Sequence, residues 1–133
     1  MHTVSPAQRV LVVDDDDSIA AALEYVVLHE GLRHERLADG AAALSHIRET
    51  RPDLVLLDVI LPELSGYEIC RAVRLDPALS DIKIVMMTAR NSAAERNRGL
   101  SLGADAFLAK PFELRTLRAE VRRLLGSAPP SDA

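Results

Sequence analysis

The stretch Leu54-Val55-Leu56-Leu57-Asp58 constrains this chain most: a short apolar run ends on a carboxylate, and Pro62 closes the segment. A bounded apolar run of this kind reads as a strand buried on both faces, the pattern of a parallel sheet. Proline cannot donate to a sheet ladder, so the strand ends at or near Asp58. A carboxylate at that place is not core. In open α/β sheets, ligands bind outside the carboxyl ends of the strands. Asp58 is therefore the candidate nucleophile, an acceptor of a phosphoryl group.

The rest of the chain repeats the theme. Val10-Leu11-Val12-Val13 is a second buried run and ends in Asp14-Asp15-Asp16-Asp17. Ser18 and the acids before it suit a helix N-terminus. Ile19, Leu23, Val26 and Val27 share one face of a helix that runs to about Glu30, with Gly31 as its stop. Residues 33–38 predict a weak polar edge strand. Asp39-Gly40 turns into an Ala-rich helix through Ile47, which Arg51-Pro52-Asp53 breaks. Ser65-Gly66 opens a helix with Ile69, Cys70 and Val73, ended by Asp76-Pro77. Residues 82–87 form a fourth strand that stops at Thr88. Residues 91–102 predict a helix with a thin apolar stripe (Ala93, Ala94, Leu100, with Gly99 inside), hence one of low local stability. Residues 104–110 give a short fifth strand. Leu114, Leu117, Val121, Leu124 and Leu125 mark the last helix, ended by Gly126.

Strands alternating with helices predict an α/β fold: one (βα)5 domain over residues 9–126, a doubly wound parallel sheet. Residues 1–8 read as a lead-in and 127–133 as a disordered tail or linker start. Right-handed crossovers carry every strand's carboxyl end to one edge, so Asp14, Asp15, Asp58, Thr88 and Lys110 meet there. Crowded carboxylates raise each other's pKa values unless a cation balances them. Magnesium fits, because it takes hard oxygen ligands from one or two carboxylates together with phosphate oxygens. The charge distribution agrees: residues 1–58 carry 5 basic and 11 acidic side chains, whereas residues 89–125 carry 8 and 4. The basic stretch reads as solvated helix faces rather than a nucleic-acid surface. The single cysteine, Cys70, permits no intramolecular disulfide and reads as a small buried apolar residue. His2, His29, His34 and His46 lack metal-ligand spacing. With no signal peptide and no long apolar run, the expected location is the cytoplasm, without membrane contact.

Val12-Val13-Asp14-Asp15, Leu56-Leu57-Asp58-Val59-Ile60-Leu61-Pro62, Met87-Thr88-Ala89 and Gly103-Ala104-Asp105 through Lys110-Pro111-Phe112 occur in this order, each at a predicted strand end. Together they resemble the receiver domain of two-component response regulators, over Arg9 to Gly126. The resemblance implies strand order 2-1-3-4-5, the flavodoxin-like order that chemotaxis receivers share. It implies that Asp58 is the phosphoacceptor, with Asp14, Asp15, Asp58 and the Ile60 backbone carbonyl as magnesium ligands and manganese as a substitute ion. Thr88, Ala89 and Lys110 would meet the phosphoryl oxygens. Phe107 holds the switch-aromatic position and would turn inward as Thr88 moves toward the phosphoryl group. The Lys110–Pro111 bond would be cis. The donor would be a histidine kinase or a histidine phosphotransfer protein. A downstream protein would bind the face formed by the fourth helix, fifth strand and fifth helix, rimmed by Arg115, Arg118 and Arg122.

Further expectations follow from departures within the pattern. Ile60 and Arg90 flank the path of attacking water, and apolar Ile60 cannot orient that water, so dephosphorylation should be slow to moderate. Thr116, Glu120 and Ala106 stand where winged-helix relatives carry dimer-forming charges, which favours a monomer or a weak phosphorylation-dependent dimer. The reading favours a stand-alone receiver over one cut from a longer chain. A phosphatase of the haloacid-dehalogenase type would use Asp14, Asp16 and Ser18, but the second acid pair such enzymes need is missing. The chain is thus expected not to be an enzyme beyond its own phosphorylation and slow dephosphorylation.

Overall fold

The computed structural model describes residues 7–90 and 92–126; the expected tail and most of the expected lead-in lie outside them. Strands β1 (Arg9–Val13), β2 (Arg33–Leu37), β3 (Leu54–Asp58), β4 (Lys83–Thr88) and β5 (Ala106–Ala109) alternate with helices α1 (Asp17–His29), α2 (Gly40–Thr50), α3 (Gly66–Leu75), α4 (Ala93–Ser101) and α5 (Leu114–Leu125). All strand pairs are parallel, in the order β2-β1-β3-β4-β5. This is the architecture expected from the sequence.

The period of two along each strand divides its side chains between two cores. Leu11, Val13, Val55, Leu57, Ile84 and Met86 face α2 and α3, joined by Ile47, Ile69, Cys70 and Val73. Val10, Val12, Leu54, Leu56, Val85 and Met87 face α1 and α5, joined by Leu23, Val26, Val27, Leu117 and Val121. β3 is buried along its whole length, Asp58 included. β2 is the polar edge, where none of the five residues is fully buried.

Helix ends follow local hydrogen bonding. The α1 cap is Asp16, whose carboxylate accepts from the Ile19 N–H, so the helix starts earlier than Ser18. α2 runs three residues beyond Ile47, and Arg51 ends it in the left-handed conformation at φ 49°. α3 opens on a capping box between Ser65 and Glu68. α4 starts later than expected, because the Ser92 hydroxyl accepts from the Glu95 N–H and fixes the cap there. β5 is shorter than residues 104–110: at Asp105 the N–H still donates to the Ile84 carbonyl of β4 at 2.8 Å, but it is the Asp105 carboxylate that accepts from the Ile84 N–H and from Arg74.

Gly99 is the one buried residue of α4, so that helix contributes little apolar area. Arg118 and Arg122 both reach Glu30 on the α1 side, at 3.2 and 2.7 Å. They tie α5 to α1, and of the expected basic rim only Arg115 stands exposed without such a tie among the described residues.

Candidate functional site at the carboxyl edge of the sheet

Asp14 follows the last residue of β1, and Asp58 is the last residue of β3. Ending adjacent parallel strands, they face each other across the sheet edge. Asp14, Asp15 and Asp58 each offer a carboxylate oxygen, and the three lie within 4.8 Å of one another. Asp14 and Asp58 are buried, while Asp15 is exposed. Lys110, just after β5, bridges the buried pair: its Nζ stands 2.8 Å from Asp14 Oδ2 and 3.4 Å from Asp58 Oδ2. The Lys110 N–H donates to the Thr88 carbonyl at 2.8 Å, which anchors the lysine to the end of β4. The Lys110–Pro111 peptide is cis.

Electrostatics at the site are unbalanced. Burial pushes the Asp58 carboxyl above the usual carboxylate range; Asp14 adds to the rise, and Lys110 opposes it. Burial would lower the Lys110 ammonium, but the bond to Asp14 and the nearness of Asp58 outweigh it, and its pKa is raised. Three ionised carboxylates against one ammonium leave a formal excess of two negative charges. A hard divalent cation fits this oxygen set and this excess; a soft thiolate-seeking metal does not.

Asp58 is held from behind. Its Oδ1 accepts from the Ile60 N–H at 3.4 Å, and the Val59 N–H extends the ladder to the Met87 carbonyl at 2.9 Å. The Gly66 N–H donates to the Val59 carbonyl at 2.8 Å. A Cβ on Gly66 would collide with the Asp58 carbonyl oxygen and stand 2.8 Å from Val59 Cα, so only glycine lets α3 start this close. Ile60, two residues after Asp58, is half-exposed, and Arg90, two residues after Thr88, is exposed.

Thr88 is fully buried, and its hydroxyl accepts from the Arg90 N–H at 3.1 Å. Phe107 departs from the expectation of a ring awaiting an inward turn. It is already inward and buried, with its ring against the space that Gly99 leaves open, while its carbonyl accepts from Arg96 at 3.2 Å. Ala89, exposed next to Thr88, lines an apolar hollow of about 400 Å³ beside Lys110, together with Ser18, Ile19, Ala22, Pro111, Phe112 and Leu114.

Sequence reasoning missed two contributors. Arg36 on edge strand β2 sends Nε and Nη2 to the Asp14 carbonyl, at 3.1 and 2.9 Å. Tyr67 donates its hydroxyl to Glu95 of α4, and Arg98 lies 4.1 Å from the centre of its ring. No motif marks either residue; the register of β2 on β1 and the start of α3 are what bring them in.

Residues 10–122 match the response regulator receiver domain family. The DNA-binding response regulator MtrA of Mycolicibacterium smegmatis is 46% identical over 118 residues, covering 89% of this chain and 50% of MtrA. The chain thus spans about half the length of the curated relatives it matches. The Vibrio cholerae chemotaxis protein CheY4 superposes with a TM-score of 0.81 at 32% identity, covering 90% of this chain and 99% of that one. The receiver domain of the Pseudomonas aeruginosa PAO1 sensor histidine kinase PA1611 superposes with a TM-score of 0.82 at 30% identity, covering 92% of this chain and 100% of that one. That structure holds a magnesium ion coordinated in its active-site cleft.

Proposed function

The chain belongs to the response regulator receiver domain family, and we propose that it is a phosphorylation-operated switch whose acceptor is Asp58. The observation that carries this reading is the meeting of Asp14, Asp15 and Asp58 within 4.8 Å, with Lys110 bridging the buried pair. An acidic strand-end cluster with one fixed ammonium suits transfer of a phosphoryl group, whose transition state spreads charge over equatorial oxygens.

Asp58 acts as the nucleophile. One carboxylate oxygen attacks phosphorus, the bond from phosphorus to the donor's imidazole nitrogen breaks, and an acyl phosphate forms on Asp58. Lys110 neutralises one developing oxygen charge, and Thr88 and the backbone at Ala89 bind others. Asp14, Asp15, Asp58 and the Ile60 carbonyl would hold magnesium, which when bound offsets the carboxylate excess and polarises the phosphoryl oxygens. Manganese would substitute.

The donor is a histidine kinase or histidine phosphotransfer protein. The apolar hollow between α1, Pro111 and α5 opens beside Lys110, where a partner helix could deliver a phosphohistidine to Asp58. The output face comprises α4, β5 and α5 and contacts a protein rather than nucleic acid. The expected setting is the cytoplasm; no helix among the described residues is long and apolar enough to cross a membrane. Half-exposed Ile60 and exposed Arg90 give attacking water no carboxylate or amide at the mouth, so the acyl phosphate should outlast seconds.

Reductive trapping tests the assignment of the acceptor. Borohydride converts a phosphorylated aspartate to homoserine, and peptide mapping locates it. The reading expects homoserine at position 58 alone; homoserine at position 14 would reassign the nucleophile.

A further inference from the structure

We propose that Arg36 is a positioning residue for the metal-binding arm of the site: it fixes the Asp14–Asp15 peptide and so sets where the Asp15 carboxylate stands. The inference rests on the magnesium-dependent reading above and assigns the edge strand a part in it.

The polar groups of Asp14 are all engaged. Its N–H donates to the Leu37 carbonyl at 3.2 Å. Its Oδ1 accepts from the Asp16 N–H at 2.9 Å, and its Oδ2 from Lys110 at 2.8 Å. Its carbonyl, which has left the ladder, accepts two guanidinium bonds from Arg36. The third arm of that guanidinium, Nη1, reaches Asp17 Oδ1 at 2.8 Å, across the turn into α1. One planar, permanently charged fork thus holds both ends of the acidic run. Asp15, between those ends, has no hydrogen bond or ion pair of its own among the described residues, so only the backbone on either side orients its carboxylate. Arg36 reaches this position because β2 pairs with β1 in a register that sets it opposite Val12, two residues before Asp14.

The two effects Arg36 can have on a bound cation are opposite in sign. As a positive charge beside an acidic site it repels a cation, and removing it would tighten binding. As a clamp on the ligand-bearing backbone it preorganises the site, and removing it would weaken binding. Groups that orient metal ligands from behind typically matter by roughly 10- to 100-fold in affinity. The geometry assigns Arg36 the second role.

The test is a magnesium titration of the full chain, followed through the Asp14 and Asp15 amide signals by NMR, for the parent, Arg36→Gln and Arg36→Lys. Phosphorylation by acetyl phosphate is measured in parallel at low and at saturating magnesium. The expected result is roughly tenfold weaker magnesium binding in Arg36→Gln. Arg36→Lys can keep one donor on the Asp14 carbonyl but lacks the fork, and should weaken binding by a smaller factor. The loss in phosphorylation rate should be largest at low magnesium and shrink as magnesium is raised, the split expected of a residue that acts through the metal-binding arm and touches no reacting atom. Equal or tighter binding in Arg36→Gln overturns the proposal in favour of simple charge repulsion. If Arg36→Gln fails to fold, Arg36→Lys decides: affinity equal to the parent's overturns the clamp. A parent that binds no magnesium overturns the magnesium-dependent reading of the site, a result distinct from a parent that binds and variants that match it.

Discussion

Asp58 sits where the fold makes ionisation unfavourable, and that is the physical cost of placing a carboxylate, here the proposed nucleophile, at a buried strand end. Its pKa is raised by burial first, with Asp14 adding to the rise against the pull of Lys110. A raised pKa contributes stability below the unfolded value that is lost as pH rises through the folded one. Without magnesium, Asp58→Asn should therefore stabilise the protein at pH 7, with the advantage shrinking toward acid pH. Urea unfolding in a chelator at two pH values measures it, and a destabilised variant at pH 7 would refute the electrostatic account. Gly66 carries a steric demand instead. Gly66→Ala should cost about 1–3 kcal/mol through overpacking against the Asp58–Val59 backbone, and should slow phosphorylation as the loop is displaced. Cys70 is inert by the same burial argument: its thiol is pushed up to about 11, so it should resist alkylation at pH 8 in the folded protein and react once urea unfolds it. The aspartates, Thr88 and Lys110 were legible in the sequence because each is the odd polar residue at the end of an apolar run. Arg36 and Tyr67 were not, because each acts through a partner far along the chain, and neither interrupts a local pattern.

At the scale of elements, α4 is the α-helix least committed to the core. It buries Gly99 alone, and its remaining ties are polar. Arg96 donates to the Phe107 carbonyl, and Glu95 and Arg98 hold Tyr67 by its hydroxyl and its ring. Tyr67 directly follows Gly66, which rests on the Asp58 backbone, so α3 links the loop after Asp58 to α4. Tyr67→Phe keeps the ring and removes one hydrogen bond, with a net value of about 1 kcal/mol. Hydrogen exchange in residues 93–101 should rise roughly fivefold, with the central strands unchanged; no change would show that the tyrosine does not restrain α4. The thin stripe of residues 91–102 announced this weak helix in the sequence. Its true start at Ala93 did not show, because a single serine cap decided it. The inward ring of Phe107 could not be read either, since the space for it comes from Gly99 on another element.

For the whole molecule, five parallel strands carry distant residues to one edge, and a ligand bound there stabilises the fold as a unit. Magnesium at one hundred times its dissociation constant should raise stability by about 2.7 kcal/mol, an effect that Asp15→Asn should largely abolish. The strand order was legible because strands and helices alternate cleanly, and handedness then leaves few arrangements. The role of the α1–α5 side was not: helical spacing makes Arg118 and Arg122 read as a free basic rim, whereas Glu30 of a distant segment takes both. The measurement that tests the central claim most directly is intact-mass spectrometry after incubation with acetyl phosphate and magnesium, run beside Asp58→Asn. The account predicts one added phosphoryl group in the parent, absent without magnesium and absent in the variant. An adduct that persists in Asp58→Asn, or no adduct in a parent with magnesium bound, would contradict it.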